Sequence, residues 1–336
     1  MEVYNLPLNF EAISVTEDGG DIQVKVSKTS IANMCDDEIV VEVHYSSINF
    51  KDKLICAGNK GLVRKFPHIP GIDAVGKVVI SCAEKHKVGE SVIIIATPLG
   101  VSSPGGLAKF IKIPSSWALT LPEHISLKMA ASFGTAGYTA ALCIHKLEQH
   151  ESFKNQFPIL VTGGSGGVGL ISTLMLSERG HNVEAVTTNK HLTQFHQNRK
   201  NVSVVRFDEF TKKNSFPLLK VKYAGAIETL GGESLSVASR SITHSGTICV
   251  LGNAHSASTT ISLMPFFQRS INMVGINAES NDPSTRDMIW ELISRSSISK
   301  KTTNFIQECT LHEAVSVLVG KTKTTDVGRI LVNVLA

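Results

Sequence analysis

The chain has 336 residues, of which 42% are hydrophobic, so it can bury a large core and is long enough to form two domains. Its 33 basic and 29 acidic residues give a net charge of only +4, which argues against a nucleic-acid partner. The longest apolar runs, such as Val92–Ala96, are far shorter than the roughly 20 residues that span a bilayer, so no membrane partner is expected.

The first residues and the cysteines favour a cytoplasmic location. The chain starts with an acidic second residue and has no basic segment leading into an apolar one, so no secretory signal is expected. No two of the six cysteines form a C-x-x-C pair, which predicts free thiols rather than a zinc or redox site.

The first 125 residues predict a β-rich domain. Short runs of strand-forming residues are separated by turns that contain glycine and proline, a pattern typical of a barrel or a sandwich. The predicted strands are Asp21–Ser27, Glu38–Ile48, Ala74–Ser81 and Ser91–Pro98.

From Leu127 onward, helical and strand patterns alternate. A helix is predicted over 127–150, followed by strands over 157–163, 181–188, 203–208, 223–230 and 246–252, with a helix over 167–180. Such alternation predicts βαβ units on a parallel sheet, and therefore an α/β domain over 126–270. Residues 271–336 contain a predicted helix over 284–297 and a closing strand over 328–335.

The stretch VTGGSGGVG, Val161–Gly169, follows a predicted strand and has two interpretations. The pattern Gly164-x-Gly166-x-x-Gly169 is typical of a dinucleotide-binding loop, whose backbone approaches a pyrophosphate at a helix N-terminus. The overlapping pattern Gly163-x-Ser165-x-Gly167 is that of a hydrolase nucleophile elbow.

The surrounding sequence favours the dinucleotide interpretation. A second strand follows the loop at the distance expected of a βαβ unit, and no HGGG-type oxyanion stretch precedes Ser165. The hydrolase alternative would recruit His244, His255 or His312 as its base. The predicted contacts to the pyrophosphate come from Gly164, Ser165, Gly166, Gly167, Val168 and Gly169.

The end of the second strand predicts NADPH rather than NADH. An NAD site places an acidic residue there to bind the ribose 2′-hydroxyl, whereas this chain carries Thr187, Thr188, Asn189 and Lys190. Two hydroxyls, an amide and an ammonium suit a phosphate. Arg206, on the next strand, is a further candidate, with a surface salt bridge as the alternative.

Seven segments resemble the medium-chain dehydrogenase/reductase superfamily, and within it the NADPH-dependent acrylyl-CoA reductase branch that is often labelled quinone oxidoreductase. They are SSINFKD (46–52), FPHIPGIDAVG (66–76), GTAGYTAALC (134–143), VTGGSGGVG (161–169), YAGAIETLGG (223–232), MPFFQR (264–269) and GRILVNV (328–334). The resemblance implies a GroES-like substrate domain over 1–125, completed by residues 271–336, with a Rossmann domain over 126–270 between them.

The resemblance also predicts that no metal is bound. Zinc alcohol dehydrogenases of the same superfamily have cysteine, histidine and cysteine ligands where this chain has Asn49, Ile72 and Ser132. Isoleucine cannot ligate zinc, and an asparagine side chain is a poor replacement for a thiolate.

The activity implied by the resemblance is NADPH-dependent hydride transfer to an activated C=C bond, in a thioester such as acryloyl-CoA. The alternatives are an NADPH:quinone reductase and, from another class, a non-catalytic NADPH-binding regulatory protein. Lys60, Arg64 and Lys65 are candidates for binding CoA phosphates, although they could equally form a solvated loop. Relatives are commonly dimers, so a homodimer is expected.

The candidate catalytic residues follow strand Glu38–Ile48 or open the helical segment at 134–143. They are Asn49, Phe50, Lys51, Asp52 and Thr135. The alternatives are that Asp52 caps a helix and that Lys51 is solvated. The family usually has tyrosine where Phe50 stands, and phenylalanine lacks the hydroxyl donor. The predicted cofactor contacts also include Phe50, Thr135, Asn253, Phe267 and Arg329.

Overall fold

The computed structural model describes residues 7–31, 34–154, 156–212, 216–298, 305–322 and 327–336. The chain divides into two units. The first unit comprises Met1–Thr135, Thr302–Thr325 and Arg329–Ala336, and the second comprises Ala136–Lys301 and Asp326–Gly328. None of the helices in the described ranges combines the length and apolar character that crossing a bilayer requires.

The first unit is built on two sheets. One is a hairpin of β1 (Phe10–Asp18) and β2 (Asp21–Thr29). The other has the strand order β14 (Ile306–Thr310), β15 (Arg329–Asn333), β3 (Glu38–Ile48), β4 (Ala74–Ser81), β5 (Ser91–Ile94) and β7 (Leu119–Thr120), and β6 (Phe110–Pro114) also pairs with β3. Helices α1 (Phe50–Cys56) and α9 (Leu311–Leu318) belong to the same unit.

Strand β3 shows why the sequence of this unit predicts a β-rich domain. Val40, Val41 and Val43 are fully buried, and β-branched side chains of this kind pack well on a sheet surface. The predicted bounds of β3 and β4 are confirmed residue for residue. Because β3 ends at Ile48, the segment that follows it leads directly into α1 and fixes the position of Asn49 and Phe50.

The second unit contains a parallel six-stranded sheet. Its strands, in chain order, are β8 (Ile159–Thr162), β9 (Val183–Thr187), β10 (Val202–Arg206), β11 (Tyr223–Glu228), β12 (Ile242–Val250) and β13 (Asn272–Gly275). Their order across the sheet is β10-β9-β8-β11-β12-β13, which is the 3-2-1-4-5-6 order of a Rossmann fold. The helices of the second unit include α3 (Gly167–Glu178), α4 (Leu192–His196), α5 (Phe207–Phe210), α6 (Glu233–Ser241), α7 (Met264–Arg269) and α8 (Pro283–Arg295).

The central strands of this sheet are buried along their whole length. Every residue of β8, β9 and β11 is buried, as expected for a parallel sheet that is covered on both faces. The predicted α/β fold with a separate β-rich unit is therefore confirmed. The predicted boundaries at 125 and 270 differ from the observed division, because β13 pairs with β12 and both β13 and α8 lie within the second unit.

Helix α2 (Leu127–Glu148) is interrupted at Gly134, where the backbone has φ 49° and ψ −153°. A Cβ atom at this position would lie 2.3 Å from Oδ2 of Asp73 and 2.8 Å from Oγ of Ser47. Only glycine therefore allows the chain to pass this close to the Asp73 carboxylate.

Candidate functional site

The glycine loop of the second unit connects β8 to α3 through a tight turn. Gly163 adopts a positive φ of 64°, and the amide of Gly164 donates to the carbonyl of Val186 at 2.9 Å. A Cβ atom at Gly169 would lie only 2.3 Å from the carbonyl oxygen of Gly163, so the first turn of the helix packs directly on the loop. This is the close helix–strand approach that the third glycine of a dinucleotide loop permits.

The N-terminus of α3 is open to an anion. Gly166 occupies the N-cap position and therefore offers no side chain to accept from the first-turn N–H groups, and the first turn contains no acidic residue. N–H groups left without an intrahelical acceptor bind phosphate oxygens readily, and the helix dipole adds to this preference. The loop therefore fits a pyrophosphate.

The position of Ser165 argues against the nucleophile elbow. An elbow places its serine on the strained residue of the turn. Here the positive φ falls on Gly163, and among the described residues other than glycine it occurs only at positions away from the loop: Asp37, Ala96, Ser245 and Ser270. The hydroxyl of Ser165 accepts a hydrogen bond from Thr187 Oγ1 at 3.0 Å, so the nearest partner is a strand-tip hydroxyl.

Two cavities lie beside the loop, and both include Ser165 and Thr188 in their walls. The first has a volume of about 430 Å³ and is lined by Ser165, Thr188, Asn189, Lys190 and His191. The second, of about 330 Å³, is lined by Gly163, Ser165, Gly166, Thr187, Thr188, Phe207, Thr229, Leu230, Ala254 and His255. The first is polar and suits a phosphate, whereas the second adds apolar groups that suit a purine.

The tip of β9 is held by a chain of local hydrogen bonds. Thr187 Oγ1 accepts from the amide of Asn189 at 3.0 Å, and Asn189 Oδ1 accepts from the amide of His191 at 2.8 Å. Arg206 Nη1 donates to the carbonyl of Thr188 at 2.8 Å. The predicted residues Thr187 to Lys190 are therefore brought together beside Ser165, with Arg206 bracing the same turn.

Residues that the sequence analysis missed complete these cavities. His191 lies one position beyond the predicted set, and His255 was considered only as a hydrolase base. The rings of Phe207 and His255 lie 4.8 Å apart at a tilted angle in the second cavity. The signal that could have identified Phe207 is its place directly after Arg206, at the end of the third strand of the βαβ series.

A buried carboxylate, Glu228, fixes the ends of the central strands. It accepts from Thr162 Oγ1 at 2.9 Å, from the amide of Gly231 at 2.8 Å and from Ser234 Oγ at 2.7 Å. Hydrogen bonds to a carboxylate are among the stronger ones in proteins. Glu228 therefore positions the turn that carries Thr229, which lines the second cavity.

The two remaining predicted cofactor residues of this unit lie after β12. Asn253 is exposed in the loop that follows this strand, and the next residue, Ala254, donates its amide to the carbonyl of Thr229 at 3.2 Å. Phe267 lies on α7 and is 67% exposed. Asn253 is thus brought towards the Thr229 turn, and a cofactor contact of Phe267 stays a prediction.

A larger cavity of about 550 Å³ lies elsewhere in the second unit. Its walls include Glu178 and Arg179, at the C-terminal end of α3, with Met288, Glu291, Leu292, Arg295 and Ser296. The 12-residue helix α3 places this cavity about 18 Å from the glycine loop. Both arginines of this cavity are already in ion pairs, Arg179 with Glu148 and Arg295 with Glu291. The larger volume of this cavity is therefore not enough to identify it as the nucleotide site.

In the first unit, a polar network surrounds the fully buried carboxylate of Asp73. Oδ2 accepts from Ser47 Oγ at 2.5 Å and from Asn49 Nδ2 at 2.8 Å. Oδ1 accepts from both the amide and the hydroxyl of Thr135, at 3.0 and 2.6 Å. We call Ser47, Asn49, Asp73, Thr135 and Arg329 the Asp73 network.

Arg329 supplies the positive charge of the Asp73 network. It is only 4% exposed, and Nη2 lies 3.5 Å from Asp73 Oδ2. Its other hydrogen bonds go to Ser132 O, Ile48 O, Asn49 Oδ1 and Ser47 Oγ. Burial lowers the pKa of Arg329, and the nearby carboxylates of Asp73 and Asp52 oppose this effect.

The structure gives Arg329 a different role from the predicted cofactor contact. A guanidinium has five N–H donors, and Arg329 makes five hydrogen bonds, to Asp73 and to the four acceptors named above. We therefore assign Arg329 to the support of Asp73 within the first unit.

Asp52 is also fully buried and binds three backbone amides. Oδ2 accepts from the amide of Asn49 at 2.8 Å, and Oδ1 accepts from those of Gly71 and Ile72, each at 3.0 Å. Burial raises the pKa of Asp52 to about 7, the three amide hydrogen bonds oppose the rise and the charge of Asp73 adds to it. The helix-capping alternative for Asp52 is thus observed, since it binds the N-cap residue of α1.

The five predicted catalytic residues fall into two groups. Asn49, Asp52 and Thr135 use their polar atoms within the first unit, as described above. Phe50 begins α1 and is 55% exposed, and Lys51 follows it on the same helix, half-buried. Direct contact of these residues with a substrate stays a prediction.

The three positions that hold zinc in the alcohol dehydrogenases have other contacts here. The Asn49 amide binds Ser47, Asp73 and Arg329, Ile72 is buried, and Ser132 Oγ donates to the carbonyl of Lys128 at 2.7 Å. Within the ranges that the structure describes, no three histidine, cysteine, aspartate or glutamate side chains are grouped so that they could hold a metal ion.

Comparison with known proteins identifies the family. The family of the alcohol dehydrogenase GroES-like domain matches residues 35–123. Over almost the whole chain, the protein is 31% identical to the acrylyl-CoA reductase AcuI of Ruegeria pomeroyi, with 98% of this chain and 99% of that protein covered. The chain belongs to the medium-chain dehydrogenase/reductase superfamily. It is of the zinc-independent type, as the resemblance predicted.

Two further relatives of this protein have solved structures. YhfP of Bacillus subtilis, which is named as a quinone oxidoreductase, is 33% identical over 85% of this chain and 86% of its own. Its structure with NAD bound has a TM-score of 0.89, at 31% identity over 98% of this chain and 100% of that one. The yhdH oxidoreductase of Salmonella enterica, in complex with NADP, has a TM-score of 0.87, at 28% identity over 96% and 99%. The relatives are oxidoreductases with nicotinamide nucleotides, and they include both forms of the cofactor.

Proposed function

We propose that this protein reduces an activated C=C bond with NADPH, and that its substrate is an α,β-unsaturated thioester such as acryloyl-CoA. The observation that carries the proposal is the similarity to an acrylyl-CoA reductase along the full length of both chains. The site in the second unit supports it, because its loop fits a pyrophosphate and the adjacent cavity offers an ammonium and amide groups but no acidic side chain.

The second unit would hold NADPH by parts that the structure shows. The first turn of α3 would bind the pyrophosphate, and Thr188, Asn189 and Lys190 would face the adenosine ribose and its phosphate. Phe207, Leu230 and His255 would contact the adenine, because they line the less polar cavity beside the ribose. Ser165, which lines both cavities, would lie between the two.

When bound, NADPH would supply a hydride to the β-carbon of the substrate, and water or another group would supply the proton. The chain's own contribution is orientation and electrostatic stabilisation. We assign to Phe50 an apolar surface for the substrate, because its ring is exposed at the start of α1. Asn49, Asp52 and Thr135 act as positioning residues, because their hydrogen bonds hold the segment that carries Phe50 and Lys51.

A quinone reductase is the second candidate, and the similarity to YhfP favours it. A flat quinone needs little more than an exposed ring such as that of Phe50, whereas a CoA thioester also needs cations for its phosphates. Of the three basic residues considered for that purpose, Lys60 pairs with Glu17 and lies 4.7 Å from the ring centroid of Phe66. Arg64 and Lys65 are exposed and remain the candidates.

The experiment that tests the proposal measures NADPH oxidation by the purified protein with acryloyl-CoA, crotonoyl-CoA and a benzoquinone. We expect turnover of acryloyl-CoA with NADPH. Turnover of the quinone alone would move the assignment to the second candidate. NADPH binding with no turnover of any acceptor would favour the non-catalytic regulatory alternative.

A pair of variants separates CoA recognition from general charge effects. We expect Arg64→Ser with Lys65→Ser to raise the KM for acryloyl-CoA about tenfold without changing turnover of the quinone. The matched control replaces two exposed lysines of β2, Lys25→Ser with Lys28→Ser, and should leave both substrates unaffected. An equal rise in KM for both pairs would contradict a specific CoA contact at residues 64 and 65.

The homodimer and the cytoplasmic location also belong to this proposal. The dimer is supported by the position of β13 at the end of the six-strand order, where its apolar residues could pair with a second copy. Light scattering on the purified protein would test it, since one chain has a mass of 36.2 kDa. A mass of one chain at micromolar concentration would contradict the dimer.

A further inference from the structure

Two polar groups in the interior of the second unit have no hydrogen-bond partner among the residues that the structure describes. They are the hydroxyl of Tyr138, on the part of α2 that belongs to this unit, and the indole N–H of Trp290, on α8. Tyr138 is fully buried and Trp290 is only 2% exposed, so bulk water does not satisfy either group. The large majority of buried polar groups in folded proteins are hydrogen-bonded, so these two point to a ligand.

Tyr138 and Trp290 are both neighbours of Arg286. Arg286 precedes Trp290 by one helical turn on α8, and both are buried, so they lie on the inward face of this helix. Burial raises the pKa of Tyr138 to about 12, and the charge of Arg286 opposes this rise, so the guanidinium lies near the hydroxyl. The three residues therefore form one buried group between α2 and α8, which we call the Tyr138 cluster.

The Tyr138 cluster offers hydrogen-bond donors and a positive charge. An indole N–H and a guanidinium can donate but cannot accept, and of the three side chains only the phenol hydroxyl can do both. A water molecule in the cluster would have to place two hydrogens of its own, with one side-chain acceptor for them. An anion needs donors and no acceptor, and hydrogen bonds that involve an ionised group are the stronger ones. The chemistry of the cluster therefore favours an anion.

The acidic residues of α8 do not cancel the charge of Arg286 inside the unit. Asp282 caps the helix, where its carboxylate accepts from Ser284 Oγ and from the amide and hydroxyl of Thr285. Asp282 and Asp287 are exposed, so water and salt screen them, whereas Arg286 is only 9% exposed. Accordingly, Arg286 has a larger effect on the pKa of Tyr138 than Asp282 has, and the cluster is positive on balance.

We propose that the Tyr138 cluster binds a small monovalent anion, of the size and charge of chloride, between α2 and α8. The hydroxyl of Tyr138 and the N–H of Trp290 donate to this anion, and Arg286 supplies the opposite charge. The site lies within the second unit and does not depend on the proposed hydride transfer. Because the anion binds the folded unit, it raises the stability of that unit by mass action.

The fluorescence of Trp290 tests for the site directly, because the chain has only two tryptophans. In a Trp117→Phe background, Trp290 reports its own surroundings. Iodide is the probe, since it quenches an indole that it contacts, and sodium gluconate keeps the ionic strength constant during the titration. We expect quenching that saturates with iodide and that added chloride reverses.

Variants of the cluster separate the site from a general effect of salt. Tyr138→Phe keeps the ring and removes the hydroxyl, and it should raise the dissociation constant of iodide about tenfold, as expected for one hydrogen bond to a charged group. The matched control Tyr45→Phe removes a hydroxyl from β3 of the first unit and should leave the quenching unchanged. Arg286→Gln should abolish saturable quenching, and Arg286→Lys should retain part of it, because lysine keeps the charge.

Thermal unfolding in chloride and in gluconate gives a second measurement. The wild type should melt at a higher temperature in chloride, and Tyr138→Phe should show a smaller difference between the two salts. In gluconate, Tyr138→Phe should be at least as stable as the wild type, because it removes a buried hydroxyl that has no protein partner.

Three results would overturn the inference. Quenching of Trp290 that is absent or rises linearly with iodide would show that no anion binds there and that water satisfies the two groups. An equal response to chloride in the wild type, Tyr138→Phe and Tyr45→Phe would show a general effect of salt. A marked loss of stability from Tyr138→Phe in gluconate would show that the hydroxyl pairs with another group of the protein.

Discussion

Replacing Arg329 by methionine tests whether the Asp73 network is held together by its buried positive charge. The substitution keeps a long apolar chain but removes the guanidinium that approaches Asp73, a residue with 0% exposure. Four other acceptors lose a donor at the same time: Ile48 O, Ser47 Oγ, Asn49 Oδ1 and Ser132 O. Asp73 would keep its hydrogen bonds from Ser47, Asn49 and Thr135 but would become a buried, uncompensated charge.

The expected loss in the free energy of unfolding is about 3–5 kcal/mol, the usual cost of removing one partner from a buried ion pair. Arg295→Met is the matched control, because its pairing with Glu291 is formed by a side chain that is 75% exposed. Pairs of that kind contribute less than about 1 kcal/mol. A domain is commonly stable by only about 5–15 kcal/mol, so Arg329→Met should remove a large share of the stability of the first unit.

The two tryptophans allow each unit to be followed separately. Trp117 lies in the first unit and Trp290 in the second, so Trp290→Phe leaves a chain whose tryptophan fluorescence reports the first unit. Urea titration in this background should show a lower midpoint for Arg329→Met with an unchanged slope. A loss no larger than that of Arg295→Met would refute the reasoning. Asp73→Asn combined with Arg329→Met should lose less than the sum of the single changes, because the pair is coupled.

Two further predictions concern the glycine loop and Asp52. Gly169→Ala should abolish NADPH binding, measured by nicotinamide fluorescence, because its Cβ would meet the carbonyl of Gly163 at 2.3 Å, whereas Gly275→Ala, which meets nothing within 4 Å, should bind normally. Normal binding by Gly169→Ala would contradict the close packing of loop and helix. For Asp52, the folded-state pKa of about 7 lies above its ordinary value near 3.9, so the folded state holds the extra proton between these values. The free energy of unfolding should therefore fall as pH rises from about 4 to 7, by at most about 1.4 kcal/mol per unit, and Asp52→Asn should flatten this slope. An unchanged slope in denaturation curves at several pH values would show that Asp52 is not the group responsible.

The regular elements with strong patterns could be predicted from the sequence. Strands β3 and β4 have long runs of β-branched residues bounded by turns, and their bounds agree with the prediction. Strand β1 was missed because FEAISVTED mixes buried and exposed residues without a clean alternation. Strand β14 was missed because its sequence, IQECT, is short and half-exposed, and its pairing with β15 is what makes it a strand.

The candidate site was predictable where its residues are neighbours in the chain. The glycine loop and the strand tip at 187–190 follow from local patterns, and the structure brings them together. Asp73 and Arg329 both lie in segments that carried the family resemblance, FPHIPGIDAVG and GRILVNV. Their partnership joins residues 256 positions apart, and local propensities in one sequence contain no signal for a contact of that range.

The passage of the chain from the first unit to the second and back has a consequence for synthesis on the ribosome. Domains generally fold as units while the chain emerges from its N-terminus. The second unit is nearly complete once residue 301 has emerged, but β15, which carries Arg329, emerges after it. Until then the nascent first unit holds Asp73 without its cation. The part of the protein that is translated first is therefore the part that finishes folding last.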